Sequence, residues 1–236
     1  MKRVYLEIEI LNHQGLKVKY DLNHSISSFI YKILDDKELH NSKKIKNFTF
    51  SNLLFGSHRR IKSGILVKDN KGLLIVSSSE KDIIDKFIEN VNSSIKVNTT
   101  HKISNLFMRI VNHRVEQTLT SANASMFYCE TITPICLTKP GDRYEQYLGP
   151  DNPEYLDYLK KHLNSRFGTN INIEFMVDRG KAIKSKMVDI KGTNVRGFKY
   201  NFFIRCDTAT FNELYYSGIG AKCSQGMGMI KLIDTQ

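Results

Sequence analysis

Twice along this chain the spacing of apolar residues shifts from a period of two to one near 3.6 and back, and this restricts the folds open to it. Val4, Leu6, Ile8 and Ile10 alternate with Arg3, Tyr5, Glu7 and Glu9, as in a half-buried strand. Ile26, Phe29, Ile30, Ile33 and Leu34 follow at helical spacing, with Asn23 or Ser25 as the cap. Segments 47–54 and 64–77 read as β, the second turning at Asp69-Asn70-Lys71-Gly72. Ile83, Ile84, Phe87, Ile88 and Val91 mark an amphipathic helix over 79–91, and 94–111 reads as a returning strand. The order is β-α-β-β-α-β, the ferredoxin-like or RRM-like succession.

Small polar residues from Thr118 to Ala124 mark a boundary, giving units of 1–120 and 121–236. The order then recurs, with a strand over 126–137, a helix over 153–167 and a strand over 170–177. Strands near 183–190 and 196–206, a helix over 208–216 and a strand over 227–233 complete it. The expected fold class is α+β, with tandem ferredoxin-like (RRM-like) domains and a C-terminal glycine-rich loop. A chain of 236 residues is long enough to bury a core in each domain.

The loop before the last strand holds Gly218-Ile219-Gly220 and Gly226-Met227-Gly228, five residues apart, with Lys222 between them. Glycine admits positive φ and lets a phosphate approach backbone amides, and Lys222 adds charge beside it. The loop runs from a helix into a strand, the reverse of a dinucleotide fingerprint.

A net charge of +11 and a pI near 9.4 point to a polyanionic partner. Residues 1–120 carry 20 Lys and Arg against 12 Asp and Glu, a net of +8; residues 121–236 carry 15 against 12, a net of +3. One basic window holds Lys43, Lys44, Lys46, Arg59, Arg60 and Lys62 with no acid. A second holds Arg179, Lys181, Lys184, Lys186, Lys191, Arg196 and Lys199 against Asp189 alone. Phe48, Phe50 and Phe55 interleave the first, and Phe198 and Tyr200 the second. Alternation of basic and apolar residues in the second window predicts a β-ribbon with a basic outward face, suited to the phosphates of an RNA stem.

No apolar run approaches the roughly 20 residues that span a bilayer, so no membrane partner is expected. The N-terminus has no apolar signal core, which places the chain in the cytoplasm. Cys129, Cys136, Cys206 and Cys223 include no Cys-x-x-Cys pair, and the seven histidines form no His-x-x-x-His pair; no metal site or cofactor is expected. Cys223 reads as a small neutral filler of the loop.

Ser27-Ser28-Phe29-Ile30-Tyr31-Lys32-Ile33-Leu34, followed by Leu39-His40-Asn41-Ser42-Lys43-Lys44-Ile45-Lys46-Asn47-Phe48-Thr49-Phe50-Ser51, resembles a known active-site pattern. In the CRISPR-associated endoribonucleases that process precursor CRISPR RNA, the "Cas six" family, a helix tyrosine leads to a histidine and a short basic run. The doubled glycine spacing resembles that family's C-terminal loop, and the tandem architecture extends the resemblance over nearly the whole chain. It implies catalytic roles for His40, Tyr31 and Lys46. His24 and His58 are rival proton carriers on residue type alone. Lys43, Lys44, Arg59, Arg60, Lys184, Lys186, Arg196, Lys199, Lys222 and the glycines Gly218, Gly220, Gly226 and Gly228 are the expected RNA contacts. A bulky residue at Gly220 or Gly226 is expected to harm RNA placement more than the fold.

The implied reaction is metal-independent: a base takes the 2′-hydroxyl proton, the oxygen attacks the adjacent phosphate, and an acid protonates the leaving 5′-oxygen. The products are a 2′,3′-cyclic phosphate and a 5′-hydroxyl. Histidine suits either proton role near neutrality, and a lysine meets charge developing on the phosphorane. The implied partner is CRISPR repeat RNA, with CRISPR effector proteins or a second copy of the chain as further partners. The alternative is a non-catalytic RNA-binding subunit of a CRISPR effector complex.

Overall fold

The first alternating segment becomes the middle of a sheet. The computed structural model describes residues 1–36, 46–116, 125–141, 145–168 and 171–235; His40, Lys43, Lys44 and the expected boundary at Thr118–Ala124 lie outside the described residues. Strand β1 (Lys2–Ile10) buries Val4, Leu6, Ile8 and Ile10. It is followed by β2 (Lys17–Val18), α1 (Asn23–Leu34), β3 (Phe48–Phe50), β4 (Leu54–Phe55), β5 (His58–Ile61), β6 (Gly64–Val67) and β7 (Lys71–Ser78). Helix α2 (Lys81–Lys96), β8 (His101–Ile103) and β9 (Leu106–Glu116) end this half. The main sheet runs β3-β7-β1-β9-β8, all antiparallel, with β4 also on β7, while β2, β6 and β5 form a small side sheet. Ile26, Phe29, Ile30, Ile33 and Leu34 of α1 and Ile84, Phe87 and Val91 of α2 close one core with the apolar side of β1.

Helix α2 is longer than the sequence suggests. Ser94 was expected to open a strand, yet it is buried in the last turn, three residues after Val91 on the same stripe, and Ile95 packs against the core. The helical stripe thus outruns the local Ile95–Val97 alternation, and the helix stops at Val97, before Asn98 at φ +55°.

The second half contains β10 (Met126–Thr131), β11 (Thr138–Lys139), β12 (Gln146–Tyr147), α3 (Tyr155–Phe167), β13 (Glu174–Val177), β14 (Lys184–Ile190), β15 (Thr193–Lys199) and β16 (Asn201–Arg205). Helix α4 (Thr208–Ser217), a 3₁₀ turn (Cys223–Gln225) and β17 (Ile230–Thr235) follow. Its sheet runs β13-β16-β10-β17, the same placement of first, second, third and last strands as β3-β7-β1-β9. Both halves therefore have the ferredoxin-like arrangement. The strand expected over 196–206 is in fact two. The Thr131 N–H donates to the Tyr200 carbonyl (3.2 Å) and the Tyr200 N–H to Thr131 Oγ1 (3.0 Å), where the chain turns out of the β14–β15 ribbon and into the sheet.

The halves meet at the glycine loop. Asn23 Nδ2 donates to the carbonyls of Gln225 (2.9 Å) and Gly226 (3.3 Å), Ser27 Oγ to that of Ser224 (3.0 Å), and Thr49 Oγ1 to that of Met227 (2.9 Å). Gly226 has φ +80°, and a Cβ there would stand 2.5 Å from Phe50 Cε2. At Gly220, φ is +87° and a Cβ would lie 2.4 Å from the Cys136 carbonyl oxygen. Both contacts involve the fold itself, which reverses the order of damage expected from sequence. Gly226→Val should lose roughly 2–6 kcal/mol of stability, backbone strain and overpacking together. An unchanged denaturant midpoint for this variant would show that the loop is not packed in this way.

Candidate functional site

Asn23, Ser27 and Tyr31 recur every fourth residue and form a polar stripe along α1, beside its apolar stripe. All three meet the glycine loop. Asn23 and Ser27 do so through the carbonyl contacts above, and the Tyr31 hydroxyl lies near the Ser224 side chain. The Tyr31 ring is half-buried and edge-on to Phe48, with centroids 5.6 Å apart. Burial raises its pKa, and the nearby Ser224 partly offsets that rise. Lys46 Nζ stands 5.9 Å from the centre of the same ring, at cation–π range. Tyr31 and Lys46, far apart in sequence, are thus neighbours beside the loop.

From the other side the loop is gripped by α3. Arg166 Nη2 donates to the Ser217 carbonyl (2.8 Å), Nη1 to the Gly218 carbonyl (2.8 Å) and to Cys223 Sγ (3.3 Å), and Nε to Asn47 Oδ1 (3.0 Å). One turn earlier, His162 lies near the Gly220 backbone; burial lowers its pKa, Gly220 opposes that, and Arg166 lowers it further. Gly218, Gly220, Gly226 and Gly228 are all buried. The N–H groups of Gly218, Ile219, Ala221, Gly226 and Gly228 donate to the carbonyls of Leu214, Gly228, Cys136, Cys223 and Pro134. Those amides are committed to the fold. Cys223 is a buried filler that donates to the Gly220 carbonyl, and burial raises its pKa. Lys222 stands in the left-handed region at φ +61°, ahead of the 3₁₀ turn, and is partly exposed.

Arg60 of the first basic window and Lys184, Lys186 and Lys199 of the second meet at a cleft of about 620 Å³ between the halves. Lys19, Tyr20, His58 and Arg60 line it from the first half, and Lys184, Lys186 and Lys199 from the ribbon. Register explains which residues face it. Lys184 pairs with Lys199, Lys186 with Gly197 and Val188 with Val195, so the three lysines share a side with the buried Val188, Val195 and Ile190. The expected outward basic face is therefore corrected for Lys184, Lys186 and Lys199. They stand on the side of the ribbon that turns to the core, at the end where the cleft opens and leaves Lys184 exposed and the other two partly so. Arg196, opposite Met187, falls on the other side, as Arg59 does relative to His58 and Arg60. Burial first, then Lys186 and Lys184, hold Lys199 below the usual lysine range, with Glu130 opposing.

His24 and His58 are exposed, His24 in the first turn of α1 and His58 in the cleft. His101 is half-buried and close to Ser94 (2.6 Å), and burial lowers its pKa. The four cysteines are free and buried; burial raises Cys129, Cys136 and Cys206 to about 12. Among the described residues, no three His, Cys, Asp or Glu side chains gather as a metal donor set, and no helix is long and apolar enough to cross a membrane. The sequence reading missed Ser27, Arg166 and His162. Their signal was positional: Asn23, Ser27 and Tyr31, like His162 and Arg166, stand four apart on one helix.

Comparison with known proteins agrees with this arrangement. The chain is 24% identical to the CRISPR-associated endoribonuclease Cas6 1 of Methanocaldococcus jannaschii, over 97% of this chain and 92% of that protein. Its fold is similar to the product of a Cas6-related gene from Pyrococcus furiosus, with a TM-score of 0.82, 21% identity and 99% of both chains covered. It is equally similar to a RAMP protein described as binding different RNA substrates, with a TM-score of 0.82, 20% identity, and 99% of this chain and 100% of that one covered. Residues 17–105 match the family model for the N-terminal part of CRISPR-associated protein Cas6, and residues 116–232 match that for the C-terminal part. With both halves matched in order, the chain belongs to the Cas6 family.

Proposed function

We propose that this chain is a cytoplasmic endoribonuclease that cuts CRISPR repeat RNA in precursor transcripts, without a metal, by attack of a 2′-hydroxyl on the adjacent phosphate. The observation that carries the reading is the meeting of Tyr31 and Lys46 beside Ser224, with His40 on the chain segment that joins them. In this reading His40 is the proton carrier, and Lys46 offers fixed charge where the phosphorane gains negative charge. Tyr31 is packed edge-on to Phe48 with its hydroxyl near Ser224, so it orients the nucleotide at the cut or shares a proton. RNA cleavage is also the activity in the name of the Methanocaldococcus relative.

The cleft lined by Arg60, Lys184, Lys186 and Lys199 supports a path for the RNA backbone. Burial first, and then the neighbouring Lys186 and Lys184, have raised the cost of the Lys199 charge, and a phosphate there relieves it. Lys43, Lys44 and Lys222 are proposed as further phosphate contacts nearer the cut. The buried glycines act through the shape of the loop.

Two outcomes test this reading. His40→Ala should cut a labelled repeat RNA ~10²–10⁴-fold more slowly in single turnover, in EDTA, while binding it nearly as well. His24→Ala and His58→Ala should be far milder, and a 2′-deoxy nucleotide just upstream of the cut should abolish cleavage. Full cutting of the deoxy RNA would overturn the mechanism; a wild-type chain that binds but cuts no repeat RNA would favour the non-catalytic subunit. Removing both Lys184 and Lys186 should flatten the slope of log K against log[salt] by ~1.4, the loss of two single-strand phosphate contacts. An unchanged slope would move the RNA away from the ribbon.

A further inference from the structure

We propose that Arg166 is a positioning residue: through Asn47 it holds Lys46 and Tyr31 in register with the glycine loop. The inference rests on the nuclease reading above. Arg166 is only 9% exposed, and its guanidinium faces both halves at once. One edge takes Asn47 Oδ1 at 3.0 Å; the other takes the Ser217 and Gly218 carbonyls, each at 2.8 Å.

Asn47 directly follows Lys46, and its backbone is already anchored. Its N–H donates to Glu80 Oε1 (3.2 Å), and its carbonyl accepts from Ser78 Oγ (2.7 Å) and from the Ser79 N–H (3.2 Å). The Arg166–Asn47 bond therefore ties an immobile point of the first half to the loop. A circuit closes around the site: Arg166 to Asn47, Lys46 over Tyr31, Tyr31 to Ser224, and the neighbouring Cys223 back to Arg166 (3.3 Å). A lysine cannot replace this fork, because one ammonium lacks the planar set of donors that reaches both edges. Displacing reacting groups by about 1 Å is enough to slow a reaction ~10²-fold.

The test uses the full chain and a labelled CRISPR repeat RNA. Asn47→Ala should cut ~10–100-fold more slowly in single turnover, with RNA affinity close to wild type, while the chain stays folded at a lowered melting temperature because the buried Arg166 Nε loses its acceptor. Asn47→Asp keeps the acceptor and should cut near the wild-type rate. Arg166→Lys should also be slow, and adding Asn47→Ala to it should slow it no further, because both changes remove the same bond. Wild-type cutting by Asn47→Ala, multiplicative effects in the double variant, or affinity falling in step with rate would each overturn the proposal. Should Arg166→Lys fail to fold, the two Asn47 variants decide. If the wild type binds but cuts no repeat RNA, the nuclease reading fails, and hydrogen exchange of Asn47→Ala decides the bridge. Faster exchange in both 47–50 and 217–228 supports it, and a change confined to 47–50 overturns it.

Discussion

A guanidinium taken out of water loses stability for every donor left unmet. Two arginines answer that demand across the seam between the halves, in opposite directions. Arg166 does so through all three of its nitrogens, and Arg3 through both Nη atoms while its buried Nε has no partner. Arg3 leaves β1 of the first half, lies 3.7 Å from the centre of the Tyr215 ring, and donates to the Tyr215 hydroxyl (2.5 Å) and to the Tyr215 and Ile230 carbonyls. Arg166 leaves α3 of the second half and reaches Asn47. Leaving one donor of a buried group unmet costs about 1–3 kcal/mol, and more for a charged one, so the directional needs of these two side chains select one orientation of the halves. Apolar contact alone would tolerate several.

That orientation gives the glycine loop its place. The loop fills the space between α1, β3 and α3, and it fits because its glycines bring backbone within contact of Phe50, Thr49 and the Cys136 carbonyl. The amides of Gly218, Ile219, Ala221, Gln225, Gly226 and Gly228 are spent on the fold, so much of the loop's value to a site lies in what it positions. Ser224 is presented to Tyr31, and Tyr31 in turn stands beneath Lys46. The same seam opens at one end into the cleft, where like charges from both halves crowd together. Crowded ammonium groups repel each other and lose solvation, which the depressed Lys199 illustrates. A polyanion repairs both losses, so the cleft is electrostatically prepared for one.

Much of this was legible in the chain. The change of apolar period marked both β-α-β-β-α-β units, and the apolar stripe of α1 left Tyr31 at its margin, where the structure packs the ring half-buried against the core at Phe48. Length was less legible: α2 ran five residues past Val91, because Ser94 and Ile95 continue its stripe while also mimicking a strand. The strand expected over 196–206 broke at Tyr200, because Thr131, from another strand, captured its backbone.

The sequence by itself determined the element types, the positive charge and the residue types able to move a proton or meet a phosphate, because these depend on periodicity and side-chain chemistry. Only the tertiary structure decided which face each basic residue took. Arg59 and Arg60 are adjacent in sequence and point apart, and the ribbon lysines turn inward because Val188 and Val195 hold that side against the core. It alone decided, too, that Arg166 should meet Asn47 across 119 residues of chain, since that depends on how two separately folded surfaces satisfy one buried charge.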